Sequence, residues 1–510
     1  MTMAITFVRD AYVDSVIQLR AMRAMRQSDD VEWASAAMAT PANVETLRAE
    51  GVDPAQLADA RSNDVFLAVR AATGEAATRA LALGESALSS SDRDDEASGR
   101  GAEPRTLRDA MSVQPDSNVA VISVPGDYAA LTAYQALSAG LHVLLFSDNV
   151  SLDKEIALKD HALNCGRFVM GPGAGTAMLG GTGLGFANAV TPGRVGVVAA
   201  AGTGAQEAMS LLDRWGVGVS AVIGLGGRDL SDAVDGTMAK AAIASLRADP
   251  GTDVIFLVSK PPAERVARAV LATADGFPLV AALVGGAADA EVGGRQPTRT
   301  LEGGALAVLD VLGVDRPDVV GDLEQRVTRA GESLDADRTL IRGLFSGGTL
   351  CYESLVILGD TVGPVYSNVP LEPSLRVPAP PGSHICLDLG EEEYTVGRPH
   401  PMIDPAARLE MLDEQASDPA VAVVLLDVVL GYGSHEDPAS ELAPACARAV
   451  QQGVVVVAYV LGTQSDPQDY ARQREILRRA GCIVTETAAR ASLAAAAVAL
   501  RDPALVTRTT

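Results

Sequence analysis

The stretch VVAAAGTGAQEA occupies residues 197–208, and GLFSGGTLCYES occupies 343–354. In each, an apolar run ends in small residues, a Gly-Thr pair follows, and a helix-compatible segment begins. Gly202, Thr203 and Glu207 recur as Gly348, Thr349 and Glu353, each 146 positions on. Further along, Gly227-Arg228 recurs as Gly397-Arg398 at an offset of 170. Asp249-Pro250 with VIFL recurs as Asp418-Pro419 with VVLL (423–426) at an offset of 169. Three matches in one order read as an internal duplication.

Apolar runs of strand length recur throughout: VAVISV (119–124), VLLF (143–146), VGVVAAA (195–201), AVIGL (221–225), VIFLV (254–258) and PLVAALV (278–284). Runs apolar at every position are buried on both faces, which requires parallel sheets covered by helices. Helix-period segments lie between them, and glycines gather at strand ends, where doubly wound sheets bind ligands. The expected fold class is α/β, with several doubly wound modules, Rossmann-like and flavodoxin-like. Residues 1–88 alternate strand and helix (Thr6–Tyr12, Ser15–Arg26, Trp33–Ala39, Val44–Glu50, Val65–Val69, Glu75–Ser89), as a small N-terminal α/β or α+β domain would. Residues 89–104 are polar and aperiodic and read as a linker. A Rossmann-like module is expected over 105–190, a first flavodoxin-like module over 191–300, a helical connector over 301–339 and a second flavodoxin-like module over 340–510.

Across 510 residues, 65 acidic side chains outnumber 41 basic ones, a formal net charge of −24. Such a chain repels phosphate backbones and anionic lipid, so neither nucleic acid nor a membrane surface is an expected partner. Aromatics at 4% are too few for a base-stacking platform. The cysteines (Cys165, Cys351, Cys386, Cys446, Cys482) are odd in number and lack a CxxC. They read as reduced thiols of a cytoplasmic protein, not as a disulfide framework or a zinc site, and no metal is assigned. The start MTMAITFVRD has neither the basic nor the apolar segment of a signal peptide. No apolar run reaches the roughly 18 residues of a membrane helix.

The chemistry the Gly-Thr turns suggest is anion binding. Small residues let backbone amides approach a ligand, and a helix start aims unpaired N–H groups and a positive dipole end at it. Gly202, Thr203, Gly347, Gly348 and Thr349 are the candidate phosphate ligands. The competing reading is a tight strand–helix turn capped by threonine. Neither turn is GxxxxGK[ST], which excludes a P-loop ATPase. The string GPGAGT (171–176) follows a strand and reads either as a loop approaching a ligand or as a turn.

Of five histidines, three lie in acidic settings: HICLDLGEEE, GRPHPMIDP and LLDVVLGYGSHEDP. His400 and His435 are candidate general bases, Arg398 a candidate oxyanion ligand, and Lys260, just past VIFLV, a candidate contact for anionic substrate. Gly226, Gly227, Arg228, Asp388 and Asp427 complete the candidate substrate site; the two aspartates end apolar strands. Loop histidines tied to backbone and a solvated lysine are the competing readings.

Taken in order from Asn118 to about Gly286, NVAVISVP, AGLHVLLFSDN, GRFVMGPGAGTA, TPGRVGVVAAAGTGAQEA and VIGLGGRDL resemble the CoA-binding and ligase modules of the succinyl-CoA synthetase α subunit. GLFSGGTLCYES, GRPHPMIDP and LLDVVLGYGSHEDPA resemble the FdrA family, a divergent branch of that NDP-forming acyl-CoA synthetase superfamily. The likeness covers essentially the whole chain. It implies a CoA-binding-like module over 105–190 and succinyl-CoA-ligase-like modules over 191–300 and 340–510. It also implies a subunit of an oxamate carbamoyltransferase, which converts carbamoyl phosphate and oxamate to oxalurate and phosphate in purine (allantoin) catabolism. Companion subunits, in a homo- or hetero-oligomer, are the implied partners. CoA or a mono- or divalent cation is the cofactor the resemblance leaves open.

The synthetases carry a phosphorylated histidine; here the best-matching string is Leu301-Glu302-Gly303-Gly304-Ala305, with Glu302 in its place. The glutamate that orients that histidine falls near Val258 and is absent, and Ala201 replaces the serine before Gly-Thr. The resemblance includes no ATP-grasp module. The expected chemistry is handling of an acyl phosphate without a phosphohistidine. The helix ends would hold the phosphate, Arg228 or Arg398 the acid's carboxylate, and His400 or His435 would be the base. An acid–thiol ligase using CoA and a non-catalytic scaffold subunit are the alternatives.

Overall fold

The structure, a computed structural model, describes residues 1–509 apart from 10, 12, 14, 28–29, 97–103, 105, 287–290 and 396–397. The chain divides into two units, Met1–Ala110 with Glu392–His400, and Met111–Glu391 with Pro401–Thr510.

The first unit contains β1 (Thr2–Val8), α1 (Ser15–Arg26), β2 (Val31–Met38), α2 (Pro41–Ala49), β3 (Val65–Ala71) and α3 (Gly74–Glu96). Its sheet is antiparallel, in the order β1-β3-β2, so the unit is α+β. Val65, Leu67 and Val69 of β3 pack in the core with α1 and α3, and Phe66 and Ala68 pack with Leu47 of α2. Cover on both faces explains why VFLAVRA is apolar throughout. Two expectations shift. The first strand begins at Thr2, not Thr6, because it pairs with β3 from Thr2↔Ala71 to Val8↔Val65. The third helix runs to Glu96, into the stretch read as a linker, since propagating a helix costs far less than starting one. Residues 97–103 and 105 of that stretch lie outside the described residues.

The second unit holds three sheets. After α4 (Leu107–Val113) come β4 (Val119–Ile122), α5 (Gly126–Ser138), β5 (His142–Leu145), α6 (Leu152–Asn164) and β6 (Val169–Met170). Only these three strands form the first, parallel sheet, in the order β4-β5-β6. The hairpin of β7 (Thr176–Leu179) and β8 (Thr182–Gly185) joins the next sheet instead. That sheet contains β9 (Pro192–Ala199), α7 (Gly202–Arg214), β10 (Val219–Gly224), α8 (Thr237–Ala248), β11 (Val254–Ser259), α9 (Glu264–Ala272) and β12 (Leu279–Leu283). Its order is β12-β11-β9-β10-β7-β8, with β7 antiparallel to β10. Of the next helices, α10 (Leu301–Leu312) and α11 (Leu323–Ser333), the first packs on α7, β11 and β12.

The third sheet is built from β13 (Leu340–Phe345), α12 (Gly348–Gly359), β14 (Val365–Tyr366), β15 (His384–Asp388), the short α13 (Glu392–Thr395, grouped with the first unit), α14 (Ala406–Ala416), β16 (Val421–Val429), α15 (Pro438–Gln451), β17 (Val455–Leu461), α16 (Tyr470–Arg479), β18 (Ile483–Thr485) and α17 (Ala488–Leu500). It is parallel throughout, in the order β14-β15-β13-β16-β17-β18. One apolar core runs through both flavodoxin-like modules, from Val197, Phe256 and Val308 to Val423, Tyr459 and the Ala494–Ala497 run of α17.

The two modules share a plan. β9 lies between β10 and β11, and β13 lies between β15 and β16. The order reverses at β9/β11 and at β13/β16, and a crevice opens there at the strands' carboxyl ends, the usual ligand position in such sheets.

Candidate active site at two converging helix ends

Each Gly-Thr turn starts a helix at one of these crevices. Ala201, before α7, has no side chain able to cap it. Among the described residues, no side chain accepts a hydrogen bond from the amides of Gly202, Thr203 or Gly204. A Cβ built on Gly202 meets nothing within 4 Å. The first helix therefore presents open amides and the positive end of its dipole.

The second turn is filled from within. The Asp427 Oδ1 accepts from the Ser346 N–H (2.8 Å) and hydroxyl (3.0 Å), and its Oδ2 accepts from the Gly347 N–H (2.7 Å). Arg408, buried behind it, pairs with the same carboxylate at 3.2 Å. Asp388 faces the next residue: a Cβ on Gly348 would lie 2.4 Å from its Oδ2. At the second turn the Ser346 and Gly347 amides, just ahead of the helix start, thus already hold a tethered anion.

The helix ends meet. The Thr349 N–H donates to the Thr203 Oγ1 at 3.1 Å. Lys260 reaches across from the first module and holds its ammonium 4.9 Å from the Tyr352 ring centre on α12. Its charge acts on Asp388 and on Cys351. Gly202, Thr203, Gly347, Gly348, Thr349, Lys260, Asp388 and Asp427, all expected from sequence, therefore share one place.

Burial pushes the Asp388 carboxyl up to about 7; the Gly390 N–H and Lys260 pull the other way, and Glu391 and Asp427 add to the rise. Burial also holds the Cys351 thiol well above its ordinary range, so it supplies no thiolate.

The other candidates make contacts of their own. Arg228 donates to the Val150 carbonyl (2.7 Å) and pairs with Glu155 (2.8 Å), beside the fully buried Lys159 that bridges Glu155 and Asp229. Gly226 is a packing glycine at φ +78°, where a Cβ would come 2.4 Å from the Pro172 carbonyl oxygen. That contact makes the GPGAGT segment a turn packed against the first flavodoxin-like module, and the neighbouring Gly227 faces open space. His435 Nδ1 accepts from the Asp437 N–H (3.0 Å), and the His435 backbone N–H donates to the Met402 carbonyl (2.8 Å), so both tie down the loop. Arg398 and His400 fall in the first unit, and Gly397 lies outside the described residues.

Two residues matched by the duplication turned out to be structural. Glu207 accepts from the Tyr459 hydroxyl (2.5 Å) and from the Ala488 N–H that starts α17. Glu353 accepts from the Leu301 N–H that starts α10 (2.6 Å). Each Gly-Thr helix thus caps a helix of the other module. Burial pushes Glu207 up to about 7, against the pull of Arg214, and Glu353 up to about 8. Glu302, at the phosphohistidine position, is buried in an ion pair with Arg490 and takes the Thr487 hydroxyl.

A signal for the two aspartates was present in the sequence. Val258 pairs with Ala199 in the first sheet, and the 169-residue offset carries Val258 onto Asp427. Ala199 also pairs with Gly224, as Phe345 does with Asp388. The strand ends that carry glycine and valine in the first module carry two aspartates in the second.

Residues 344–498 match the family described as CoA-ligase. Protein YahF of Escherichia coli strain K12, described as uncharacterized, is 38% identical over 508 residues, 97% of this chain and 98% of YahF. The chain belongs to the family of YahF. The ADP-forming sulfoacetate-CoA ligase subunit SauD of Bilophila wadsworthia is 31% identical over 179 residues, 33% of this chain and 60% of SauD. Succinate–CoA ligase (ADP-forming) subunit alpha of Methanothermobacter thermautotrophicus is 25% identical over 225 residues, 42% of this chain and 75% of that protein. Among solved structures, dinucleotide-forming acetyl-coenzyme A synthetase 1 of Ca. Korarchaeum cryptofilum is 16% identical, with coverage of 77% of this chain and 85% of that one and a TM-score of 0.27.

Residues 1–105 match the family described as AllF, heavy metal-associated domain. That stretch contains neither cysteine nor histidine, and no group of three His, Cys, Asp or Glu among the described residues is placed to hold an ion. Its donors do not fit a heavy-metal site. Among the described residues no helix is long and apolar enough to cross a membrane.

Proposed function

We propose that this chain is the phosphate-handling subunit of a carbamoyltransferase of the oxamate type, working in the cytoplasm with companion subunits. The observation that carries the reading is the unlike make-up of the two helix ends. The α7 end offers uncapped amides beside Lys260, a fit for one phosphate dianion. The α12 end holds Asp427 and faces Asp388, and repels a second phosphate. On this reading the α7 amides and Lys260 hold the phosphoryl group of carbamoyl phosphate and stabilise the charge it gains as the anhydride C–O bond breaks. Glu302, locked to Arg490, leaves no histidine at that position to carry a phosphoryl group between sites.

The test is phosphate release from carbamoyl phosphate by the purified chain, alone and with its companion subunits. The expected result is release that depends on oxamate, forms oxalurate and ignores CoA. A second reading, an acid–thiol ligase, is favoured by the likeness to SauD and to succinate–CoA ligase. It predicts consumption of acid that requires CoA and a nucleotide. That result, with carbamoyl phosphate untouched, would overturn the first reading.

A further inference from the structure

We propose that Asp388 is the proton acceptor for the incoming nitrogen, the group that turns an anion-binding crevice into a carbamoyl-transfer site. This rests on the carbamoyl phosphate reading above. Asp388 ends β15 and is only 4% exposed. Its backbone is clamped on both sides by the Asn368 amide, at 2.9 Å to its N–H and 2.9 Å to its carbonyl. Its Oδ1 accepts from the Gly390 N–H at 2.9 Å, which fixes the side chain. The Oδ2 takes no hydrogen bond from a described residue and points at Gly348, beside the junction of the two helix ends. A carboxyl with one oxygen anchored and the other aimed, unshared, at the crevice has the geometry of a base.

The other groups of the crevice are spoken for. Both Asp427 oxygens accept hydrogen bonds, and its charge is balanced by Arg408. Lys260 is a cation facing the anion. The Cys351 thiol stays protonated. The charged groups acting on Asp388 are Glu391 from its own loop, Asp427 from β16 and Lys260 from beyond β11. With burial they set its carboxyl near 7, so at neutral pH a large share is ionised and able to take a proton.

The step balances. The acceptor nitrogen forms a bond to the carbamoyl carbon, and the carbon–oxygen bond to phosphate breaks, the electron pair leaving on phosphate. The proton shed by the nitrogen passes to Asp388 and then to the departing phosphate, giving hydrogen phosphate. No oxidant or reductant enters.

Asp388→Asn keeps the oxygen that Gly390 bonds. It should lower kcat about 10²–10⁴-fold, with KM for carbamoyl phosphate within a few-fold of wild type. The limb of the kcat/KM–pH profile near 7 should vanish with it. A wild-type profile flat from pH 5.5 to 8.5 overturns the proposal with no variant needed. A second readout does not need turnover. A phosphate dianion placed beside Asp388 further disfavours its carboxylate, so binding inorganic phosphate near pH 7.5 should take up part of a proton. Calorimetry in two buffers of different ionisation enthalpy measures it. Uptake lost in Asp388→Asn supports the proposal; equal uptake in the variant overturns it and leaves the anion site standing. No phosphate binding by the wild type overturns the carbamoyl phosphate reading itself.

Discussion

The crevice of the first flavodoxin-like module and that of the second have the same order of central strands, the same Gly-Thr turn and helices of similar length, yet opposite electrostatics. In the first, the strands carry Gly224 and Val258 near their carboxyl ends and the helix start stays open. In the second, the strands carry Asp388 and Asp427, and one of these carboxylates occupies the Ser346 and Gly347 amides just ahead of the helix. A carboxylate held by the backbone faces those amides at an effective concentration a free phosphate cannot match. A helix start is therefore an anion site only when the fold has not already supplied the anion. The two unlike crevices form a cationic wall and an acidic wall that meet at Thr203 and Thr349.

The contrast breaks most forcefully at Asp427. Asp427→Val gives the second module the residue of the first, but strands the buried Arg408. We expect a loss of about 3–5 kcal/mol in denaturant unfolding, with much of it regained in Asp427→Val/Arg408→Met. A single variant as stable as wild type would mean that Arg408 and Asp427 do not depend on each other.

The helices' glutamates, by contrast, should behave alike. Glu207 and Glu353 titrate near 7 and 8 in the fold, above the ordinary carboxylate range, so the fold favours their protonated forms. Their contribution is complete below about pH 4.5 and is lost as pH rises through 7 and 8. The melting temperature should fall between pH 6 and 9, by the equivalent of roughly 2–4 kcal/mol. Glu207→Gln and Glu353→Gln should each flatten that slope; an unchanged slope in both would remove the pair from the interface account.

The glycines sharpen the comparison. Gly348→Ala drives a methyl into Asp388 and should cost about 1–3 kcal/mol. Gly202→Ala enters open space and should stay within about 0.5 kcal/mol of wild type. Equal costs would deny that the first turn is open. The smallest effect expected is at the junction. Thr203→Val removes the acceptor of the Thr349 N–H and should cost about 1 kcal/mol, whereas Thr349→Val leaves that bond in place and should cost less. Urea unfolding of the two variants side by side is the check.

That these residues would gather in one place was legible in the sequence. Apolar runs followed by glycine mark strand ends, and the 146-residue repeat marks two equivalent turns. Eight candidate residues converge because strand ends of a parallel sheet converge. The misses share one cause. Arg228, Gly226 and His435 look like ligands by residue type, and residue type does not show the partners that the fold gives them: Glu155, Pro172 and Met402. Glu207 and Glu353 were matched as a repeat, but burial between modules is not written in either helix's own pattern.

The sequence by itself determined the strand–turn–helix grammar, the duplication and the loss of the phosphohistidine, because these follow from local apolar periodicity, from residue spacing and from the identity of residue 302. Only the tertiary structure decided which Gly-Thr turn remains open, that Asp388 faces the junction with one oxygen unshared, and that each module caps the other's helix. Those outcomes depend on which groups meet across distances of 81 residues, as in Ser346 and Asp427, or 146, as in Thr203 and Thr349. A hydrogen bond satisfies an amide equally well whether its acceptor comes from a ligand or from a strand far along the chain.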